Sequence, residues 1–196
     1  MDDPPPADGP RKRRGGKASK PLDTTGLRDL ALAYMARFAT STARLERYLK
    51  RKLRERGWED PEGREPDIAT LVERYAGLGY VDDAAFARSK ADGLLRRGYG
   101  ARRVRQVLGQ DGIAENLRDQ MAPGEHAART AALMLARKRR FGPFATEPVA
   151  PEKREKQIAA MLRAGHSFEH ARALIDMGSE GVALEWLDEV DDEAMD

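Results

Sequence analysis

Two of the three histidines lie in the run His166-Ser167-Phe168-Glu169-His170, which has the H-x-x-E-H spacing of one class of zinc peptidase. That chemistry needs both imidazoles on one helical face, a glutamate base and a third ligand further along the chain. Here Gly165 stops one helix and Ser167 starts the next, so His166 falls on a turn. Glu169 then sits in a first helical turn, where a carboxylate complements the macrodipole. Asp82-Asp83 offers two acids for a cation, but a helix N-cap followed by an N1 carboxylate accounts for the same pair. Gly15-Gly16-Lys17 has the closing glycine and lysine of a phosphate-binding loop. It lacks the opening glycine, where Arg11 stands, and has Ala18 where a hydroxyl must reach magnesium. There is no cysteine, hence no thiolate nucleophile, disulfide or cysteine-based metal site. These residues point to no enzyme, no metal and no cofactor.

The arginines and lysines are better placed to act. Arg44, Arg47, Lys50, Arg51 and Arg54 share the helical face opposite Leu45, Leu49 and Leu53, and residues 44–56 carry a net charge of +5. Residues 88–105 carry +6, with Arg96, Arg97, Arg102, Arg103 and Arg105 around the loop Gly98-Tyr99-Gly100. Tyr99 offers that loop a ring for stacking or packing. Arg102 and Arg105 point away from the apolar face of Val104, Val107 and Leu108. Two such stripes on equivalent helices would line one groove for a polyanion or an acidic protein surface. The four cations Arg137–Arg140 need less explanation, because they complement the C-terminus of their helix.

The elements that carry these stripes are helical throughout, and the spacing predicts an all-α fold. Apolar faces run through Leu27, Leu30, Ala31, Tyr34 and Phe38, then through Leu45, Tyr48, Leu49 and Leu53, then through Ile68, Leu71, Val72 and Tyr75. Later helices use Phe86, Ala87, Leu94 and Leu95, then Val104, Val107 and Leu108. Beyond them come Ile113, Leu117 and Met121, and a stretch packed through Ala128, Ala131 and Leu135. The last ones use Ile158, Met161 and Leu162, then Phe168, Ala171, Leu174 and Ile175, and finally Val182, Trp186, Leu187 and Val190. Three of these helices end alike: Leu53-x-x-x-Gly57, Leu108-x-x-x-Gly112 and Met161-x-x-x-Gly165. The spacing of these glycines predicts a tandem array of three three-helix repeats, over residues 23–80, 81–123 and 124–178.

Outside the repeats, residues 1–22 are rich in Pro, Gly, Lys and Arg and are expected to be a disordered basic arm. Residues 179–196 hold eight acids and no Lys or Arg, an acidic C-terminal tail that either solubilises the chain or competes for the basic groove. The 196 residues include no apolar run long enough to span a bilayer, and the absence of cysteine suits a cytoplasmic protein. With no large apolar seam, a monomer is expected.

The run Leu78-Gly79-Tyr80-Val81-Asp82-Asp83-Ala84-Ala85-Phe86-Ala87, followed by Arg97-Gly98-Tyr99-Gly100-Ala101-Arg102-Arg103-Val104-Arg105-Gln106-Val107-Leu108 and Gly112-Ile113, resembles the central signature of RecX-type regulatory proteins. Arg44 to Trp58 and Ile158 to Phe168 also fit that pattern, so the resemblance spans about residues 26–177. It departs at Ala101, where the family usually has proline, and at His166, where it usually has an aromatic residue. The resemblance implies an elongated, curved helical array and a non-enzymatic regulator. It would bind the filament of the RecA recombinase on single-stranded DNA and restrain its extension, recombination, ATP hydrolysis and co-protease activity. The competing expectation is a general nucleic-acid-binding protein that acts only by competition for DNA.

Overall fold

The computed structural model describes residues 20–147 and 149–193. Residues 1–19 of the expected arm, with Gly15-Gly16-Lys17, lie outside the described residues, as do residues 194–196 of the acidic segment. The described chain forms α1 (Thr24–Met35), α2 (Thr42–Arg56), α3 (Ile68–Gly77), α4 (Asp83–Leu95), α5 (Ala101–Gln110) and α6 (Glu115–Gln120). It continues through α7 (Glu125–Arg139), a 3₁₀ turn (Gly142–Phe144), α8 (Pro151–Arg163), α9 (Phe168–Asp176) and α10 (Glu180–Glu193).

Local chemistry sets many of the helix starts. Asp23, Ser41, Asp67, Asp82 and Ser167 each accept a backbone N–H from the first turn of the helix that follows, at 2.7–3.2 Å. Each such cap contributes about 1 kcal/mol. The helices are short and amphipathic, so each needs neighbours to cover its apolar stripe. The buried side chains accordingly fall into three clusters in chain order. Leu27, Ala31, Leu45, Leu49, Ile68 and Val72 join α1 to α3; Phe86, Leu94, Val104, Leu108 and Ile113 form the second cluster. Leu133, Leu135, Ile158, Met161 and Leu174 form the third. The protein is thus a tandem array of three helical units with separate cores.

Four placements differ from the sequence-based expectation. Leu22, assigned to the arm, is buried: its N–H donates to the Gly57 carbonyl at 3.0 Å and its carbonyl accepts from Glu59 N–H at 2.9 Å. Such a bridge needs only a few residues and leaves no periodicity to read. Phe38, expected on the inner face of the first helix, lies beyond the end of α1 and is 55% exposed. Phe168 opens α9 and is also largely exposed, because it lies in the first turn before the buried stripe Ala171, Leu174 and Ile175. The acidic segment is no free tail over its described length. α10 buries Ala183 in the third core, and Trp186 packs beside it.

Candidate nucleic-acid interface

The two joints between units decide where the basic stripes lie. At the first joint the N-terminus of α2 meets α4 and the C-terminal turn of α5. Thr42 donates its backbone N–H and its Oγ1–H to the two carboxylate oxygens of Asp83, each at 2.8 Å. Ser41 Oγ donates to the Asp111 carbonyl at 2.6 Å. The Asp111 carboxylate pairs with Arg44 at 3.7 Å and with Lys90 at 3.3 Å, tying both units' cations to one acid.

The second joint is made of backbone. The Gly98–Gly100 turn, between α4 and α5, sits on the Gly165 turn that follows α8. Gly100 N–H donates to the Ala164 carbonyl at 3.0 Å, and Arg102 N–H to the Gly165 carbonyl at 3.1 Å. A Cβ on Gly100 would overlap Gly165 and the His166 nitrogen. His166 is 2% exposed, and its Nε2 lies 3.0 Å from the Gly98 carbonyl, to which the neutral ring donates. Burial pushes this imidazole below its ordinary value, against the opposing pull of that hydrogen bond. His170 reaches a different partner, Glu125 Oε1 at 2.8 Å, so each histidine of the H-x-x-E-H run is engaged in packing between elements.

The expected interface residues separate into two groups. Several are tied down: Arg44 by Asp111, with its guanidinium 5.6 Å from the Phe86 ring centroid, and Arg47 by the Gln110 carbonyl at 2.8 Å. Lys50 pairs with Glu46 at 2.6 Å and Arg51 with Glu55 at 3.6 Å, both within α2. Arg103 donates to Gln106 at 2.8 Å, and Arg105 pairs with Asp119 and, at 2.7 Å, with Glu115. The side chains of Arg54, Arg96, Arg97 and Arg102 are exposed and make no ion pair or hydrogen bond among the described residues. Tyr99 is 37% exposed at the second joint.

Two openings bring these side chains together. A groove of about 650 Å³ between the first and second units is lined by Arg44, Arg96 and Arg97, drawn from both stripes, and by Lys90. Phe38 and Tyr80 line the same groove. At the second joint Arg102 and Arg103 share a cleft with Arg163 of the third unit. Sequence reasoning missed Phe38, Tyr80 and Arg163 as parts of these openings. Tyr80 stands within the motif that carried the resemblance, whereas nothing in the local pattern marks Arg163. The acidic α10 is seated elsewhere. Glu180 pairs with Arg137, Arg129 donates to the Trp186 carbonyl at 2.6 Å, and the Arg129 guanidinium lies 4.6 Å from the Trp186 ring centroid.

No helix among the described residues is long and apolar enough to cross a membrane. Residues 82–121 match the family model described as RecX, second three-helix domain. The chain is 33% identical over 174 residues to the regulatory protein RecX of Myxococcus xanthus, covering 85% of this chain and 92% of that protein. It is 30% identical over 147 residues to the regulatory protein RecX of Halorhodospira halophila, covering 75% and 84%. The fold is similar to the crystal structure of RecX from Lactobacillus salivarius, with a TM-score of 0.61 at 16% identity over 84% of this chain and 96% of that one. Tandem helical units, joints in place of a single core and a 92% span of a relative at 33% identity lead to one assignment: the chain belongs to the RecX family of regulatory proteins.

Proposed function

We propose that this protein is a non-enzymatic cytoplasmic regulator that acts as a monomer on the RecA–single-stranded-DNA filament and limits its extension, recombination, ATP hydrolysis and co-protease activity. The observation that carries this reading is the groove in which arginines of two separate stripes, Arg44 on α2 and Arg96 and Arg97 after α4, line one opening. A tandem array presents several weak polyanion contacts at fixed spacing, and linked contacts gain by effective concentration. The stripe residues Arg47, Lys50, Arg51, Arg54, Arg102, Arg103, Arg105 and Tyr99 extend the same surface in this reading. Family membership supports a regulatory role and no catalytic chemistry.

The test is the DNA-dependent ATPase of the cognate recombinase, assembled beforehand on single-stranded DNA. Inhibition at ratios well below one protein per recombinase is expected for action on the filament. Inhibition that appears only when the added protein is abundant enough to cover the DNA would instead favour simple competition for the strand.

A further inference from the structure

We propose that the groove between the first and second units binds single-stranded nucleic acid directly, with bases stacked on Phe38 and Tyr80 and phosphates held by Arg96 and Arg97. The proposal deepens the regulator reading and rests on it for the identity of the strand. The contact itself needs no recombinase.

Phe38 is 55% exposed and Tyr80 60% exposed, and both line the groove. Each ring is braced from behind. Tyr80 meets the buried Tyr75 edge to face, with centroids 5.8 Å apart and planes at 89°. Phe38 lies 5.2 Å from Tyr34, which in turn stacks on Tyr48 at 4.1 Å. A ring already held in place loses little conformational freedom when a partner lands on it. The Arg51 guanidinium lies 5.6 Å from the Tyr48 ring centroid, so the aromatic row Phe38, Tyr34, Tyr48 ends beside a cation of the α2 stripe.

The division of labour among the groove cations points to the same ligand. Arg44 and Lys90 are held by Asp111 and lie 5.6 and 5.9 Å from the Phe86 ring centroid. The buried ring in the groove wall is therefore covered by charge, and it offers no socket for the apolar anchor of an acidic peptide. The guanidinium groups of Arg96 and Arg97 have no ion-pair or hydrogen-bond partner among the described residues and are available to phosphates. Exposed aromatic faces beside unpaired guanidinium groups suit a flexible polyanion with free π-faces, which is single-stranded nucleic acid. A duplex keeps its base faces stacked and would meet only the cations.

The experiment is fluorescence anisotropy of the full chain with a labelled oligothymidylate and with a duplex of equal length, without recombinase. Phe38→Ala and Tyr80→Ala are each expected to weaken single-strand binding about tenfold and leave duplex binding unchanged. Tyr80→Phe, which keeps the ring, is expected to bind as wild type. Melting curves read by circular dichroism check that both exposed positions tolerate alanine. Single-strand binding that is undetectable in the wild type, unchanged in both alanine variants, or reduced equally on duplex would overturn the proposal. Alanine variants that bind the strand normally but no longer inhibit the recombinase would make the groove a protein-docking face. That result would overturn the nucleic-acid assignment and leave the regulator reading standing. Strand binding that depends on both rings in a wild-type protein with no effect on recombinase ATPase would do the reverse.

Discussion

Gly100 and Gly165 meet backbone to backbone across the second joint. A side chain on either would strike the other's segment: Gly100 has Gly165 and His166 against it, and Gly165 has the Arg103 backbone. Gly57 closes α2 as Gly165 closes the turn after α8, and both have positive φ (79° and 98°), but no atom lies within 4 Å of a Cβ built on Gly57. Alanine at either position carries the strain of positive φ, about 1–3 kcal/mol. Only Gly165→Ala adds an overlap with the neighbouring unit, a further 1–3 kcal/mol or about that size. Thermal melting of the two variants should therefore place Gly165→Ala well below Gly57→Ala, and equal melting temperatures would show that the joint yields freely.

Asp83 serves two helices. It lies in the first turn of α4 and accepts both the backbone and the side-chain hydrogens of Thr42 at the start of α2. Asp83→Ala leaves those donors without their carboxylate, at an expected cost of about 1–2 kcal/mol in urea unfolding. Asp82→Ala removes only the local cap of α4 and should cost about 1 kcal/mol, without weakening the joint. A double-mutant cycle between Asp83→Ala and Thr42→Ala tests the contact, and a coupling energy near zero would refute it.

The arginines should divide in the same way as their partners. Arg97→Glu with Arg102→Glu removes two groups that make no ion pair among the described residues. The pair is expected to abolish recombinase inhibition, and DNA binding should fall in a salt-dependent manner while the melting temperature changes little. Arg47→Ala breaks the hydrogen bond to the Gln110 carbonyl and should show a stability loss. Full inhibition by the Arg97/Arg102 double variant would remove these positions from the interface.

His166 makes the second joint sensitive to acid. Its folded-state value lies below the ordinary 6.5, chiefly through burial, so the unfolded chain binds the proton first as pH falls. The stability it supplies is complete above about 6.5 and is lost progressively below it. The melting temperature should therefore drop between pH 7.5 and pH 5 more steeply in the wild type than in His166→Phe, which keeps an aromatic ring but cannot titrate. Parallel slopes for the two proteins would show that the imidazole takes up its proton without disturbing the fold.

Much of this architecture is legible in the chain because local rules carry it. Asp82 and Ser167 cap the helices that their sequence positions suggest, and Gly57, Gly112 and Gly165 all close helices at positive φ. Helical periodicity also identifies which arginines turn away from their own unit's core. It does not reveal what a neighbouring unit brings to that face. Arg44 and Arg47 point outward on α2, but Asp111 and the Gln110 carbonyl, more than 60 residues downstream, meet them there. Phe38 has helical spacing from Tyr34, yet the chain leaves the helix at Met35 and carries the ring to the groove. The acidic composition of α10 likewise hides Ala183, which is buried in the third core.

Leu22 takes on a larger meaning beside the two joints. The turn after α8 receives N–H groups from the second unit, and the turn after α5 receives the Ser41 hydroxyl from the first. At the turn after α2 the donor is the Leu22 N–H, which reaches the Gly57 carbonyl. The backbone of Leu22 thus takes, at this turn, the place that a neighbouring unit takes at the other two, while α10 packs over the third core. Along the described residues the series therefore has a polarity: each of these three turns is closed by a donor from the N-terminal side, so the contacts between successive elements all run one way.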